Sequence, residues 1–184
     1  MAGPAIAVVI GSLRKASFNR RLAMAMMRLG PADFTFAEAP IGELPLYNQD
    51  DEANPPPALQ RFRDQIRAAQ GVLFVTPEYN RSIPGALKNA IDQGSRPAGQ
   101  SVWGGKPAGI VGTSPGAAGS AMAQQHLRNV LATLNVAVLP SPEVFLQFKE
   151  GLIGEDGSIA DERTAKFLQG WMDRYAAWVR RFAA

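Results

Sequence analysis

The sequence predicts an α/β protein built on a doubly wound parallel sheet. Three observations carry this. Short apolar runs rich in β-branched residues recur at 5–10 (AIAVVI), 71–76 (GVLFVT) and 107–112 (PAGIVG), the pattern of strands buried on both faces. Segments with apolar residues at i, i+3 and i+4 lie between them. The two kinds alternate, five strands with five helices, as parallel strands joined by crossover helices require.

The elements follow in order. The run 5–10 is the first strand, and Phe18, Leu22, Met26 and Leu29 give the next segment, 18–29, helical spacing. Residues 34–38 (FTFAE) alternate as a half-buried strand does. The stretch Gly42–Pro57, rich in Pro, Asn and Asp, reads as a surface loop. Asn54 before Pro55-Pro56-Pro57 offers an N-cap and a proline-tolerant first turn to a helix striped by Leu59, Phe62 and Ile66. The strand 71–76 leads through Pro77–Ile83 to a short helix opened by Pro84 and carrying Leu87 and Ile91. Gly94–Lys106 is irregular, and its Trp103 either edges a pocket or packs the loop. After the strand 107–112 and the small-residue loop Gly112–Gly119 comes a helix with Leu127, Val130, Leu131 and Leu134 on one face. The fifth strand is expected at 136–139 (VAVL). In the last helix, about 161–182, Phe167, Leu168, Trp171, Met172, Tyr175, Trp178, Val179 and Phe182 keep helical spacing throughout, with Asp161 as N-cap.

The length, 184 residues, suits one compact domain spanning 1–184. There is no cysteine, which excludes a thiol nucleophile, a CxxC redox pair, iron–sulfur ligation and a Cys-based zinc site. One histidine, His126, excludes a multi-His metal site, and Asp50-Asp51-Glu52 lacks the spaced ligands of a calcium loop, so no metal is expected. Any redox work must therefore ride on a bound organic cofactor. The net charge is +3 with no long basic run, so nucleic acid is not an expected partner and a small anionic ligand suits the balance better. The N-terminus lacks a basic leader region, and no apolar stretch approaches the roughly 20 residues that cross a bilayer. A soluble cytoplasmic protein without a membrane partner is expected.

Ligands of open α/β sheets bind at the carboxyl ends of the strands, where three loops lie. The first, Gly11–Asn19 (GSLRKASFN), offers Ser12, Arg14, Ser17 and Asn19 at a helix N-terminus. It reads either as a phosphate cradle or as a polar loop capped by Ser17 with an exposed Arg14. Neither a Walker A nor a GxGxxG pattern occurs, which favours a mononucleotide phosphate over a dinucleotide held in the Rossmann manner. In the second, Pro77, Glu78, Tyr79 and Asn80 present a ring and an amide to a flat heterocycle, or form an ordinary turn with Tyr79 as packing. Glu78 has a structural or cofactor-orienting role. The third, GTSPGAAG (Gly112–Gly119), lets backbone approach a flat ligand, with Thr113 and Ser114 as donors, or is a plain flexible connection. GTSPG also matches the GxSxG string of serine hydrolases. Pro115 follows Ser114, however, and cannot supply the oxyanion-hole N–H such an enzyme needs.

GSLRKASFN, PLYNQD (Pro45–Asp50), TPEYNRSIPGALKNAID (Thr76–Asp92) and GTSPG with QHLR (Gln125–Arg128) together resemble the NADPH-dependent FMN reductase family, in particular its quinone- and chromate-reducing members. The likeness runs from about residue 5 to 150. It implies a flavodoxin-like three-layer sandwich with a five-stranded parallel sheet of order 2-1-3-4-5 and noncovalent FMN. By this likeness Ser12, Arg14, Ser17, Phe18 and Asn19 hold the phosphate. Pro77, Glu78, Tyr79 and Asn80 line the isoalloxazine, and Ser114 flanks it. It implies ping-pong two-electron transfer from NADPH or NADH to quinones or similar acceptors (flavin, azo compounds, chromate), with no side chain as catalytic acid or base. It also implies a homodimer or homotetramer whose neighbouring subunit completes the pocket. Gln125 stands where an aromatic is common, which bears on a tetramer contact. Gln93-Gly94 replaces a bulkier pair, which loosens the pocket rim, and Arg81 in the variable position of its loop favours anionic substrates. The other reading of such a fold is an electron-carrying flavodoxin. Such carriers are strongly acidic, and the +3 charge argues against it.

Overall fold

The centre of the molecule is β1 (Ala5–Ile10), whose alternate side chains feed two separate cores. Ala7 and Val9 face one side of the sheet, and Ile6, Val8 and Ile10 face the other. The computed structural model describes residues 3–182. Met1 and Ala2, where the leader reading begins, lie outside them, as do Ala183 and Ala184.

The remaining elements are α1 (Phe18–Arg28), β2 (Thr35–Glu38), α2 (Pro57–Ala68), β3 (Gly71–Val75), α3 (Gly85–Gly94), β4 (Pro107–Ser114), α4 (Ala121–Thr133), β5 (Ala137–Val138), β6 (Val144–Gln147) and α5 (Glu162–Phe182). The sheet order is β2-β1-β3-β4-β5, and every pairing is parallel. This is the expected 2-1-3-4-5 order. Residues of α2, α3 and α4 cover the Ala7 and Val9 side, and residues of α1 and α5 cover the Ile6 side, giving three layers. Gly109 in β4 lets α5 sit close: a Cβ there would stand 2.6 Å from Trp171 and 2.7 Å from Tyr175.

The edge of the sheet differs from expectation. In place of one strand at 136–139 there are two pieces. Ala137 and Val138 pair with Pro107 and Ala108, whereas Val144–Gln147 pair with Val111–Ser114. Leu139 still donates its N–H to the Ala108 carbonyl at 2.8 Å, and residues 140–143 then loop out before Val144 pairs with Val111. Pro140 and Pro142 fall in this stretch and carry no N–H for the ladder. The carbonyl of Pro142 instead accepts from the Trp171 indole at 3.0 Å.

Two local readings also change. The helix cap expected at Asn54 is absent, because α2 begins two residues further on, with Pro56 at the cap and no side-chain hydrogen bond there. Trp103 edges no pocket; it is fully buried against Phe62 and Phe74 and donates its indole N–H to the Ile91 carbonyl at 2.9 Å. Asp161 does cap α5, accepting the Thr164 N–H at 2.7 Å.

Candidate functional site

Pairing of β1 ends at Gly11, whose N–H donates to the Val75 carbonyl at 2.9 Å. The chain then turns through Ser12, which is buried, and through the exposed Leu13–Ala16 before α1 begins. Ser17 is the N-cap, in extended conformation, with its Oγ accepting from the Arg20 N–H at 3.3 Å. The N–H groups of Phe18 and Asn19 have no partner among the described residues. They are donors at the positive end of the helix dipole. The Arg14 guanidinium stands at the same place, 4.8 Å from the centre of the Phe18 ring. That ring in turn stacks on Phe148 at 3.9 Å.

Not every side chain of this loop is free. Asn19 is buried and spends both halves of its amide on one distant residue. Nδ2 donates to the Thr113 carbonyl at 2.9 Å, and Oδ1 accepts the Thr113 N–H at 3.0 Å. What Asn19 and Phe18 offer an anion is their main-chain N–H. Arg20 is bound bidentately to Glu38 at 2.6 and 2.7 Å, which holds its pKa above the ordinary value.

The loop after β3 is a tight turn. Tyr79 and Ser82 exchange two backbone hydrogen bonds of 2.9 and 3.0 Å, with Asn80 (φ 51°) and Arg81 (φ 63°) at the tip. Both tip residues are left-handed, as a two-residue hairpin of type I′ demands. Pro77 is buried, whereas Tyr79 is 50% exposed, so its ring is not a packing residue. Glu78 turns away from the tip. Its Oε2 accepts the N–H groups of Met122 and Ala123, at 3.0 and 3.2 Å, and so caps α4. Ser120, the residue before that helix, makes no capping bond with its own side chain.

β4 runs two residues further than expected, so Thr113 and Ser114 belong to the strand. Thr113 is not a ligand donor as read: it is buried, and its hydroxyl donates to the Leu146 carbonyl at 2.7 Å. Ser114 donates weakly to Gly116 at 3.3 Å. Gly112 cannot be larger, because a Cβ there would collide with Ser120 Oγ and the Thr76 carbonyl. The hydrolase reading fails on geometry as well. Ser114 ends a strand well before α4 starts, and His126 hydrogen-bonds Ser82 through Nδ1 at 3.0 Å rather than facing Ser114.

The long loop containing Pro45–Asp50 is pinned to α3. Asn89 and Gln93, one helical turn apart, both donate to the Pro45 carbonyl, at 2.8 and 2.9 Å, and Asn89 accepts the Tyr47 N–H at 2.9 Å. Gln93 therefore fastens this loop to α3. Gly94 makes room for Trp103, whose indole nitrogen would lie 2.6 Å from a Cβ. Two buried amides at i, i+4 on a short helix were the signal available in the sequence for this anchor. Tyr47 donates to Glu52 at 2.8 Å, which raises its phenol above the ordinary value.

A 2-1-3-4-5 parallel sheet, with a free helix N-terminus and an exposed guanidinium after β1 and an exposed aromatic turn after β3, defines a flavodoxin-like flavoprotein. The unpaired N–H groups and Arg14 fit a phosphate dianion, and the free face of Tyr79 fits a planar ring system. Residues 4–151 match the profile of NADPH-dependent FMN reductase, and the chain belongs to that family. It is 55% identical over 175 residues to a 2-hydroxy-1,4-benzoquinone reductase of a Burkholderia species, covering 95% of this chain and 96% of that one. It is 50% identical over 176 residues to a quinone reductase of Pseudomonas putida, covering 95% and 94%. Among solved structures it resembles FerB, a flavoenzyme NAD(P)H:(acceptor) oxidoreductase from Paracoccus denitrificans. The TM-score there is 0.94 and the identity 44%, over 97% of this chain and 98% of that one.

Proposed function

We propose that the chain is an FMN-dependent NAD(P)H oxidoreductase that reduces quinones or similar acceptors by two electrons, in ping-pong fashion. One observation of the structure carries the reading. The anion cradle of α1 and the exposed Tyr79 turn stand at the ends of β1 and β3, which are hydrogen-bonded neighbours. In this proposal a phosphate held in the first would leave its attached planar ring beside the second. Family membership supports the same reading.

In this proposal Ser12, Arg14, Ser17 and the N–H groups of Phe18 and Asn19 hold the phosphate by charge-assisted hydrogen bonds. Pro77, Glu78, Tyr79 and Asn80 form the wall beside the isoalloxazine, and Ser114 lies on its other flank. Bound FMN supplies the hydride and electron transfer between NAD(P)H and the acceptor. The chain's own residues would bind and orient the cofactor, and the proton that accompanies each hydride would come from solvent, which reaches the exposed Arg14 and Tyr79 loops, so no side chain is needed as its donor. Glu78 acts indirectly, by locking the ring-side turn to α4 through Met122 and Ala123. Asn19 does the same between α1 and β4.

The assembly we propose is a homodimer or homotetramer in the cytoplasm, with residues 1–184 as one domain. Two cores on opposite faces of a single sheet support the one domain. Exposed Met122 and Phe145 beside the site support a covering subunit. No helix among the described residues is long and apolar enough to cross a membrane.

A visible spectrum of the purified protein with FMN, before and after anaerobic NADPH, tests the function. The expected result is a bound flavin spectrum that bleaches with NADPH and recovers when a quinone is added. A protein that binds no flavin overturns the reading. One that binds flavin yet needs a separate reductase is an electron carrier instead.

A further inference from the structure

A groove of about 450 Å³, a size suited to a small aromatic ligand, opens beside the Tyr79 turn and shares Asn80 with the wall proposed for the isoalloxazine. Ala121, Met122 and Phe145 make its apolar floor, and Asn80, Arg81 and His126 supply polar groups. No carboxylate lines it. Glu78 and Glu143, which bond to α4, are already engaged: Glu78 caps the helix, and Glu143 pairs with Arg128 at 3.2 Å and accepts from Gln125 at 2.9 Å. The Arg81 guanidinium makes no ion pair among the described residues, so its charge is available to a ligand in the groove.

The backbone at Arg81 is informative. At φ 63° it occupies the second tip position of a two-residue turn, where glycine is preferred because a Cβ is disfavoured there. The turn is held rigidly all the same. Tyr79 and Ser82 close it with two hydrogen bonds, and His126 braces Ser82 from α4 at 3.0 Å. Glycine would serve the fold better, and arginine there sets a cation on the rim of an apolar groove at a conformational cost. Strain of this kind, over-determined by its surroundings, marks functional positions.

We infer that this groove is the acceptor subsite and that Arg81 gives it a preference for planar acceptors bearing a negative charge, of which an ionised hydroxyquinone is the simplest. The inference rests on the quinone-reductase reading of the site. A hydroxyl on a quinone ring is a vinylogous carboxylic acid and is ionised at neutral pH. Its ring matches the Met122 and Phe145 floor, and its delocalised anion matches the guanidinium.

The test compares FMN-loaded wild type with Arg81→Gly and Arg81→Lys. The probes are 2-hydroxy-1,4-benzoquinone, which is anionic, and 1,4-benzoquinone, which is neutral. The ratio of kcat/KM for the anionic over the neutral quinone is expected to fall about tenfold or more in Arg81→Gly, the size of one lost charge-assisted contact, and to recover in part in Arg81→Lys. Calorimetric titration of the oxidised protein with 2-hydroxy-1,4-benzoquinone should show the same weakening without turnover. Because glycine suits the turn, Arg81→Gly should melt no lower than wild type, which separates the effect from misfolding. An unchanged ratio, or an equal loss for both quinones, overturns the inference. So does a change confined to the NADPH-over-NADH preference, which would place Arg81 on the donor's phosphate. If neither quinone is reduced but the calorimetric difference stands, the reductase reading and the acceptor role fail together, and only the preference of the groove for an anionic ring is kept.

Discussion

Tyr175 is an unresolved tension at the scale of one residue. Its ring stacks on Trp171 with centroids 5.3 Å apart, while its hydroxyl is fully buried and has no hydrogen-bond partner among the described residues. Burial alone pushes the phenol far above its ordinary pKa. An unpaired buried hydroxyl costs on the order of 1–3 kcal/mol. Tyr175→Phe keeps the stack and removes the cost, so the unfolding free energy should rise by about 1 kcal/mol in a denaturant titration. A fall would mean that the hydroxyl has a partner in solution. Arg14 makes the opposite case, a charge with room for a ligand. Arg14→Ala should weaken FMN binding by about 1.5–3 kcal/mol, the scale of a hydrogen bond to a charged group. Fluorescence titration with FMN measures it, and an unchanged affinity would remove Arg14 from the phosphate site.

At the scale of elements, the molecule places its site by fastening helix and strand ends to one another. The N-terminus of α4 borrows its cap from Glu78, a residue of the loop that walls the proposed flavin site. Glu78→Ala should cost about 1 kcal/mol of stability, as loss of a helix cap does. Hydrogen exchange at the Met122 and Ala123 amides should rise with it, and Glu78→Gln, which keeps an acceptor oxygen, should lose less. Unaltered exchange at those two amides would show that the cap is not formed. The split edge strand follows the same principle. The bulge at 140–143 gives up ladder hydrogen bonds, and Trp171 takes the freed Pro142 carbonyl.

For the whole molecule, charge decides where stability fails in acid. The segment between β6 and α5 is tied back to α1 by Arg21 with Glu150 and Glu155 and by Arg28 with Asp156. Asp156 lies below the ordinary carboxylate value of 3.8, chiefly because it accepts from the Ser158 hydroxyl, and Asp161 does so chiefly through the Thr164 hydroxyl. A carboxyl whose folded pKa is depressed adds stability above its unfolded value and loses it as pH falls through the folded one. Melting temperature should therefore stay level from neutrality to about pH 4 and decline below it. Asp161→Asn should blunt that decline, and a loss beginning well above pH 4 would assign it to other groups.

What the sequence determined by itself is what local pattern encodes. Apolar runs and helical spacing depend on neighbours within a few residues, so four of the six strands and all five helices were legible, whereas the strand order followed only from the likeness to a known family. The loops at the carboxyl ends were legible too, because Gly11–Asn19 and Pro77–Asn80 concentrate residue types that a packed core cannot use. The tertiary structure alone decided which of those polar groups remain free. Asn19 is consumed by Thr113, 94 positions away, and Glu78 by α4, 44 positions away. Gln93 is taken by Pro45 and Thr113 by Leu146. Each is a competition for hydrogen-bond partners distant along the chain, and it is settled by which strand ends the sheet brings together. The same holds for Arg81, whose charge was visible in the sequence. Its rigid left-handed seat above an apolar groove came into being only when α4 and β6 packed beside the turn.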